Sequence, residues 1–291
     1  MVKFKDRCFE NEPCIVCGSS DFKQLKIINN RKILRCIDCG LFFVGEIHPH
    51  DLEGFYEYQY YHNTNNDLIG YREYTTDYNS DYNNYIRIAK LLIKYEDNGK
   101  KLLDVGAAHG VFVKVMNDTG WDAQGIDPSF YAVNTGISKY GVNLRQDTIE
   151  GFQPEGTRFD VITLIGVFEH LTSPDESLEK IYNMLNPGGL LLITTLNAGR
   201  YIHIYKFKPP EHLFYFNRPQ LSRLLIKKGF HVIKAVPYLR SYRFSEFTHR
   251  VNALLFPKLL NPCDWLFSHF PILDIIARFP TNEMFILARK E

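Results

Sequence analysis

The chain lacks a long hydrophobic run and an apolar stretch at its start. A membrane-spanning helix needs about 20 consecutive apolar residues, and no run among the 291 residues reaches that length. The first six residues, MVKFKD, contain no apolar stretch of the kind found in secretory signals. We therefore expect a protein without a transmembrane segment that is located in the cytoplasm, where thiols stay reduced.

A strong overall charge is also missing, because the formal net charge is only +1. The charge is unevenly spread, however: residues 197–291 hold 15 Lys and Arg against 6 Asp and Glu, a surplus of +9. Such a region suits an anionic partner, for example a phosphate-bearing small molecule, RNA or an acidic membrane surface. A solvated basic face is the alternative. The hydrophobic content of 45% predicts a folded protein.

Cysteines are few, but four of the six form two close pairs with the spacing C-x2-C-x18-C-x2-C. This spacing is typical of a four-thiolate zinc site, whose ligands would be Cys14, Cys17, Cys36 and Cys39. Two short strands joined by an Asn29-Asn30 turn are predicted between the pairs. We predict a zinc-ribbon-like module over residues 1–50, with a structural ion, since four thiolates leave no open coordination position. Two unrelated redox or buried pairs are the alternative.

A tyrosine-rich connector occupies residues 51–98. Nine tyrosines fall between Asp51 and Tyr85, and the end of the segment has helical spacing, which predicts a helix that ends near Asn98. The connector could form part of a substrate lid or a docking surface between the module and the next domain.

Strand and helix patterns alternate over residues 99–237. The first strand ends at Asp104-Val105, and a turn of small residues precedes an apolar helix. The second strand ends in Asp127, 23 residues after Asp104, where an acid can bond the ribose hydroxyls of a nucleoside. The strands are almost continuously apolar, which predicts a mostly parallel Rossmann-like α/β sheet covered on both faces. A dinucleotide cofactor is disfavoured because G-x-G-x-x-G is not satisfied.

These motifs resemble those of class I S-adenosylmethionine-dependent methyltransferases. The similar segments are LDVGAAHG at 103–110, GIDPS at 125–129, FDV at 159–161 leading into GVFEHL at 166–171, and NPGG at 186–189. The resemblance covers about residues 85–235 in order, and residues 283–290 resemble the antiparallel last strand of that fold. It implies S-adenosylmethionine as the cofactor.

The resemblance also implies which residues bind this cofactor. Those residues are Asp104, Gly106, Ala108, Gly110, Asp127, Asp147, Ile149, Gly166 and Val167. On this analogy Gly106 and Gly110 flank the methionine portion, while Gly166 and Val167 contact its methionine end. Asp104 helps to hold its amino group, Asp127 takes the ribose hydroxyls, and Asp147 or Ile149 lies beside the adenine. Ala108 departs from the family, in which glycine is frequent at this position.

Methyl transfer to oxygen or carbon usually needs a base that removes a proton from the acceptor. The candidate catalytic residues are His212, His170 and Glu169. His212 follows the fifth strand, whose carboxyl end faces the ligand crevice in such sheets; the alternative is a histidine that only fixes its loop. Glu169 and His170 belong to a stretch common in the family, for which a structural role is the alternative.

Residues 238–291 are predicted to form a helical cap and the last core strand. The cap could cover the active site, or it could form the contact surface of a homodimer. The order of module, connector, core and extension resembles sugar C-methyltransferases that act on nucleotide-linked sugars. That resemblance implies a small, phosphate-bearing and therefore anionic substrate, from a polysaccharide or secondary-metabolite pathway.

Two other functions remain open at this point. Some rRNA base methyltransferases also begin with a zinc module, but the near-neutral charge argues against nucleic acid as a partner. A non-catalytic scaffold that kept the fold is the second, and the acids Asp104 and Asp127 argue against it.

Overall fold

The structure, a computed structural model, describes residues 7–48, 51, 78–96, 100–199, 207–245, 248 and 276–291. Its strands in chain order are β1 (Arg7–Cys8), β2 (Phe22–Ile28), β3 (Arg31–Cys36), β4 (Phe42–Val44), β5 (Glu46–Ile47), β6 (Lys101–Val105), β7 (Asp122–Asp127), β8 (Asn143–Gln146), β9 (Phe159–Ile165), β10 (Leu185–Leu196), β11 (Phe214–Tyr215), β12 (Phe230–Arg243) and β13 (Ile276–Lys290). Its helices are α1 (Tyr78–Tyr95), α2 (Val111–Asp118), α3 (Phe130–Tyr140), α4 (Pro174–Met184) and α5 (Arg218–Lys227).

A seven-stranded sheet in the order β12-β13-β10-β9-β6-β7-β8 forms the centre of the molecule. The five strands from β10 to β8 are parallel to their neighbours, whereas β13 is antiparallel to both β10 and β12. This is a mostly parallel Rossmann-like sheet with an antiparallel last strand, so the fold class predicted from the sequence is confirmed.

Both faces of this sheet are apolar because successive residues of a strand point to opposite sides. In β10, Leu191 and Ile193 belong to the hydrophobic cluster on one face, and Leu190 and Leu192 belong to the cluster on the other. All four side chains are fully buried. The near-continuous apolar run in the sequence therefore follows from helices and loops that cover the sheet on two sides.

The N-terminal module contains a hairpin of β2 and β3. Asn29 and Asn30 form its turn with positive φ angles of 49° and 59°, as a two-residue hairpin turn requires. β4 pairs with β3. β11, which follows β10 of the central sheet in the chain, pairs with β4. The four-stranded sheet therefore has the order β11-β4-β3-β2, and the module shares one strand with the rest of the molecule.

Within the predicted helical cap, residues 238–243 and 276–281 are strand, which corrects the helical expectation for these two segments, whereas residues 244, 245 and 248 are helical. β12 and β13 pair from Phe230–Lys290 to Arg243–Ile276, so residues 239–243 and 276–280 hold an extended conformation through the ladder between the two strands. The long ladder continues past the end of the central sheet. Of the intervening segment, residues 246–247 and 249–275 lie outside the described residues.

The connector falls mostly outside the described residues, which resume at α1. This helix ends at Tyr95, three residues before the predicted end at Asn98, and residues 97–99 are not described. None of the helices in the described ranges combines the length and the hydropathy needed to cross a membrane.

A capping box begins α5, and its removal tests how firmly the helix is held. The Asn217 side chain accepts from the Gln220 N–H at 2.9 Å, and the Gln220 side chain accepts from the Asn217 N–H at 2.8 Å. We expect Asn217→Ala to lower the free energy of unfolding by about 1 kcal/mol, measured by urea denaturation with circular dichroism. Asn134→Ala, exposed within α3, is the control and should change it by less than about 0.5 kcal/mol. Equal losses in the two variants would contradict the assignment.

Candidate functional site

A cavity of about 350 Å³ opens at the carboxyl ends of the parallel strands, the edge at which open α/β sheets bind ligands. Every residue that the resemblance implies for cofactor binding lines it, except Gly110; these residues are Asp104, Gly106, Ala108, Asp127, Asp147, Ile149, Gly166 and Val167. The three candidate catalytic residues, Glu169, His170 and His212, line its other end. One cavity therefore joins the two groups.

Asp127 is the last residue of β7, and backbone N–H groups hold its carboxylate on both sides. The Ala108 N–H donates to Oδ2 at 2.8 Å, and the Ser129 N–H donates to Oδ1 at 2.9 Å. These bonds tie the turn after β6 to the start of α3. They fix the orientation of the carboxylate toward the cavity that it lines.

Asp104 lies near the end of β6 and is almost fully buried. Burial raises the pKa of its carboxyl group to about 7; the Thr163 hydroxyl, which donates to Oδ1 at 2.6 Å, opposes the shift, and the charge of Asp127 adds to it. A positive charge in the cavity would favour the ionised form. The site therefore fits a ligand with a cationic end, such as the sulfonium and ammonium groups of S-adenosylmethionine.

The turn after β6 depends on backbone conformations that favour glycine. Gly106 has a φ of 71°, and a Cβ there would lie 2.3 Å from Cγ2 of Val167. Ala108 has a φ of 47°, in the left-handed region that glycine adopts without strain. A Cβ on Gly110 would lie 2.8 Å from Cγ2 of Val142, so this glycine lets the start of α2 pack closely against Val142 and Leu144.

Two further segments complete the cofactor end. Asp147 follows β8, where its N–H donates to the Asp127 carbonyl at 3.1 Å and its carboxylate lies 3.2 Å from Arg145. Ile149 is buried in the cavity wall. On the opposite side Gly166 has a φ of 68°, and among the described residues beyond its two chain neighbours no atom would lie within 4 Å of a Cβ at this position. The wall is therefore open at Gly166.

Glu169 lies at the other end of the cavity in a short 3₁₀ turn, Phe168–His170. Burial raises the pKa of its carboxyl group to about 7, although the Thr195 hydroxyl donates to Oε2 at 2.5 Å and opposes the shift. The charge of Glu283 raises the pKa further. Near neutral pH this group can therefore hold or release a proton.

His170 and His212 form a pair whose ring centres are 4.8 Å apart in an edge-on arrangement. The Nδ1–H of His170 donates to the Glu211 carbonyl at 2.6 Å. Burial lowers the pKa of both rings, most strongly that of His212, where His170 and Lys208 add to the effect. Both imidazoles are therefore neutral near neutral pH, the state in which a histidine accepts a proton.

Three residues that line the cavity were not predicted from the sequence. Arg240 donates to Asp81 at 2.5 Å and to Glu283 at 3.2 Å, and all three line the cavity. They come from β12, α1 and β13, and Asp81 and Arg240 are separated by 159 positions. No local pattern marks such a group, because only the sheet topology brings it together.

The four predicted metal ligands lie together in the N-terminal module. Their sulfur atoms are all within 4.8 Å of one another, with 3.5 Å between those of Cys14 and Cys39 and between those of Cys17 and Cys36. A tetrahedral zinc ion with ~2.3 Å bonds places sulfurs ~3.8 Å apart. Gly18 and Gly40 follow the two pairs with φ angles of 79° and 75°. The donor set and its spacing fit one zinc ion.

Comparison of sequences finds the family described as a methyltransferase domain, which matches residues 77–235. Among similar curated proteins are the ubiquinone biosynthesis O-methyltransferases of Chelativorans sp. and Pseudomonas fluorescens. The first is 32% identical, and the match covers 34% of this chain and 41% of the relative. The second is 28% identical, and the match covers 47% of this chain and 57% of the relative. The chain thus spans about half the length of these relatives.

Comparison of structures finds the same fold at low sequence identity. An S-adenosylmethionine-dependent methyltransferase of Archaeoglobus fulgidus is 17% identical, with a TM-score of 0.51 and coverage of 75% of this chain and 99% of the other. A Burkholderia thailandensis 1,6-didemethyltoxoflavin-N1-methyltransferase is 17% identical, with a TM-score of 0.50 and coverage of 92% of this chain and 99% of the other. At this identity the likeness concerns the fold.

We expect the raised pKa of Asp104 to make the binding of S-adenosylmethionine depend on pH. A cationic ligand favours the carboxylate, so the ligand must displace a proton below pH 7. We expect the affinity for S-adenosylmethionine to be highest above pH 7 and to fall about tenfold per pH unit below it. Isothermal titration calorimetry from about pH 5.5 to 8.5 measures this.

Two variants identify the responsible carboxyl group. Asp104→Asn should bind weakly and with a flat pH profile, because it removes the titrating group. Asp122→Asn, at the exposed start of β7, should keep the parent profile. A parent affinity that is constant over this pH range would contradict the role of Asp104.

Proposed function

The chain belongs to the methyltransferase-domain family, and we propose that it transfers a methyl group from S-adenosylmethionine to a small, phosphate-bearing molecule such as a nucleotide-linked sugar. The observation that carries this proposal is the single cavity that runs from Asp104 and Asp127 to the His170–His212 pair. The first pair of residues suits the cofactor, and the second suits proton transfer at an acceptor.

The residues of the cofactor end have complementary tasks in this proposal. Asp127 would bond the ribose hydroxyls, since backbone N–H groups already fix its orientation. Asp104 would face the cationic methionine end, and Gly106 and Gly166 would leave room for it. When bound, the cofactor supplies a methyl group that is electrophilic without further activation.

His212 is the proposed base at the acceptor end. Its ring is neutral and buried, and Nε2 lies 3.8 Å from Oε1 of Glu211. A proton taken from an acceptor would create an imidazolium, which this carboxylate would stabilise. Glu169, with a pKa of about 7, would donate a hydrogen bond to the acceptor when protonated. Burial of the pair excludes water from the reacting atoms.

The proposal of an anionic substrate rests on the positive surplus of residues 197–291, because the cations that line the cavity already lie beside carboxylates. Lys208 lines the cavity with its Nζ 4.0 Å from Oε2 of Glu211, and Arg240 lines it while bonded to Asp81 and Glu283. Residues 197–291, which supply both, carry the surplus of positive charge. A phosphate or diphosphate group could bind along this side of the cavity.

Oxygen methylation of a molecule without phosphate is the second candidate. It is supported by the two curated relatives, whose names describe O-methyltransferases of ubiquinone biosynthesis. The proposed base serves an oxygen acceptor equally well, because a hydroxyl group must also lose its proton. The two candidates differ in whether the acceptor carries a phosphate.

We also propose that the four clustered cysteines bind one structural zinc ion. Native mass spectrometry of the purified protein should show the mass of one zinc, and Cys39→Ser should lose most of it because one of four ligands is gone. Cys8→Ser is the matched control, since this thiol lies outside the cluster, and it should retain the metal. Metal-free parent protein, or equal metal loss in both variants, would contradict the proposal.

The base can be tested together with the substrate class. Purified protein, S-adenosylmethionine and a panel of nucleoside diphosphate sugars should yield S-adenosylhomocysteine, detected by liquid chromatography with mass spectrometry. His212→Ala should lower the rate by about 10² to 10⁴-fold, the usual contribution of a general base. His231→Ala, an exposed histidine on β12, is the control and should retain the parent rate.

Other outcomes of this assay separate the alternatives. Turnover of phenolic acceptors without turnover of any nucleotide sugar would favour the second candidate. A His212→Ala rate within a few-fold of the parent would contradict the base assignment. Binding to bulk RNA at low salt would instead point to an RNA substrate, and failure to bind S-adenosylmethionine would point to a non-catalytic scaffold.

A further inference from the structure

The loop that carries His212 is bonded to the N-terminal module on one side and to Glu169 on the other. The Val44 N–H of β4 donates to the Leu213 carbonyl at 2.9 Å, and the Leu213 N–H donates to the Glu169 carbonyl at 2.8 Å. β11 follows at once and pairs Phe214 with Phe43. Leu213 thus connects the acceptor end of the cavity to the module sheet through its backbone.

Tyr215 links the module sheet to the position of His212. It pairs with Phe42 of β4, and its hydroxyl donates to the His212 carbonyl at 3.1 Å and accepts from the Lys208 N–H at 2.9 Å. The His212 N–H in turn donates to the Lys208 carbonyl at 2.8 Å. One fully buried phenol therefore closes the turn that begins at Lys208 and ends at His212.

Side chains of the module enclose the rest of the same turn. The Asn29 side chain donates to the Pro209 carbonyl at 3.0 Å. Phe42 packs edge-on against Phe207 at 5.8 Å between ring centres, and Phe207 packs against Tyr215 at 4.7 Å. The turn is therefore held from the side of the module as well as from within.

One of the four clustered cysteines takes part in this attachment. Gln220, at the start of α5, donates to the carbonyl of Cys39 at 2.8 Å. At the cofactor end, the bonds described above for the carboxylates of Asp104 and Asp127 run instead to three residues of the Rossmann-like core, which are Thr163, Ala108 and Ser129. The module is therefore attached to the acceptor end of the cavity, whereas the core itself holds the two carboxylates of the cofactor end.

We propose that Tyr215 is a positioning residue through which the cysteine module sets the location of His212, while the cofactor end stays independent of the module. The proposal rests on the proposed function, because it assigns His212 to the acceptor end. Zinc bound by the four cysteines would order β3 and β4, β4 would hold β11, and the Tyr215 hydroxyl would hold the turn.

Tyr215→Phe in the zinc-loaded full chain tests this, because it removes the hydroxyl and keeps the ring. The side-chain nitrogen signals of His212 and His170, assigned by substitution in ¹H–¹⁵N spectra, should shift and broaden as the turn loosens. The dissociation constant for S-adenosylmethionine should stay within about twofold of the parent, a difference of about 0.4 kcal/mol. Tyr182→Phe is the matched control: that hydroxyl donates to the Glu291 carbonyl, away from the cavity, and neither readout should change.

Removing zinc from the parent protein with a chelator provides a second measurement. The histidine signals should move in the same direction as in Tyr215→Phe, with cofactor affinity retained. Unchanged histidine signals in Tyr215→Phe would overturn the proposal. A dissociation constant for S-adenosylmethionine outside about twofold of the parent value would also overturn it. Neither readout needs a methyl acceptor, so the proposal can succeed while the substrate screen fails, and the reverse.

Discussion

The backbone N–H and carbonyl of Leu213 hold the acceptor end of the molecule together. The N–H of Leu213 bonds to Glu169 in the turn after β9, and its carbonyl accepts from Val44 in the module. Two segments that are distant in sequence and one candidate base therefore meet at a single residue. A shift of β4 would therefore act on the turn that carries His212, because β11 pairs with β4.

The electrostatics of the cavity follow from the same burial that holds it together. Asp104 and Glu169 lie at opposite ends, and burial raises the pKa of each to about 7. A buried carboxylate without a partner of opposite charge lowers the free energy of unfolding. Such groups occur where a ligand can offset that loss. A cationic cofactor would relieve Asp104, whereas Glu169 faces the acceptor end. Burial therefore raises the pKa of both carboxyl groups, one beside the proposed cofactor and one beside the proposed acceptor.

The sequence predicted those parts of the fold that depend on local patterns. Apolar runs predicted the parallel strands, and the resemblance to class I methyltransferases implied most of the residues that line the cofactor end of the cavity. It failed where pairing is non-local: residues 238–243 were assigned to a helical cap, yet they pair with 276–280 in a long ladder. The place of Gly110 beside the cofactor stays a prediction from its motif, and the structure adds that a side chain at this position would meet Val142.

The shared strand also bears on why a metal site would accompany this core. A module of about 40 residues buries too little apolar surface to be stable alone and usually requires a metal or disulfides. Here Ile33, Val44 and Phe43 pack in the same hydrophobic cluster as Leu213 and Phe216, so the core replaces part of what the module lacks. The dependence is mutual, because among the described strands β11 pairs with β4 alone. The sulfur cluster and the turn that carries His212 therefore stabilise each other, and substitutions on either side of β4 and β11 should affect both.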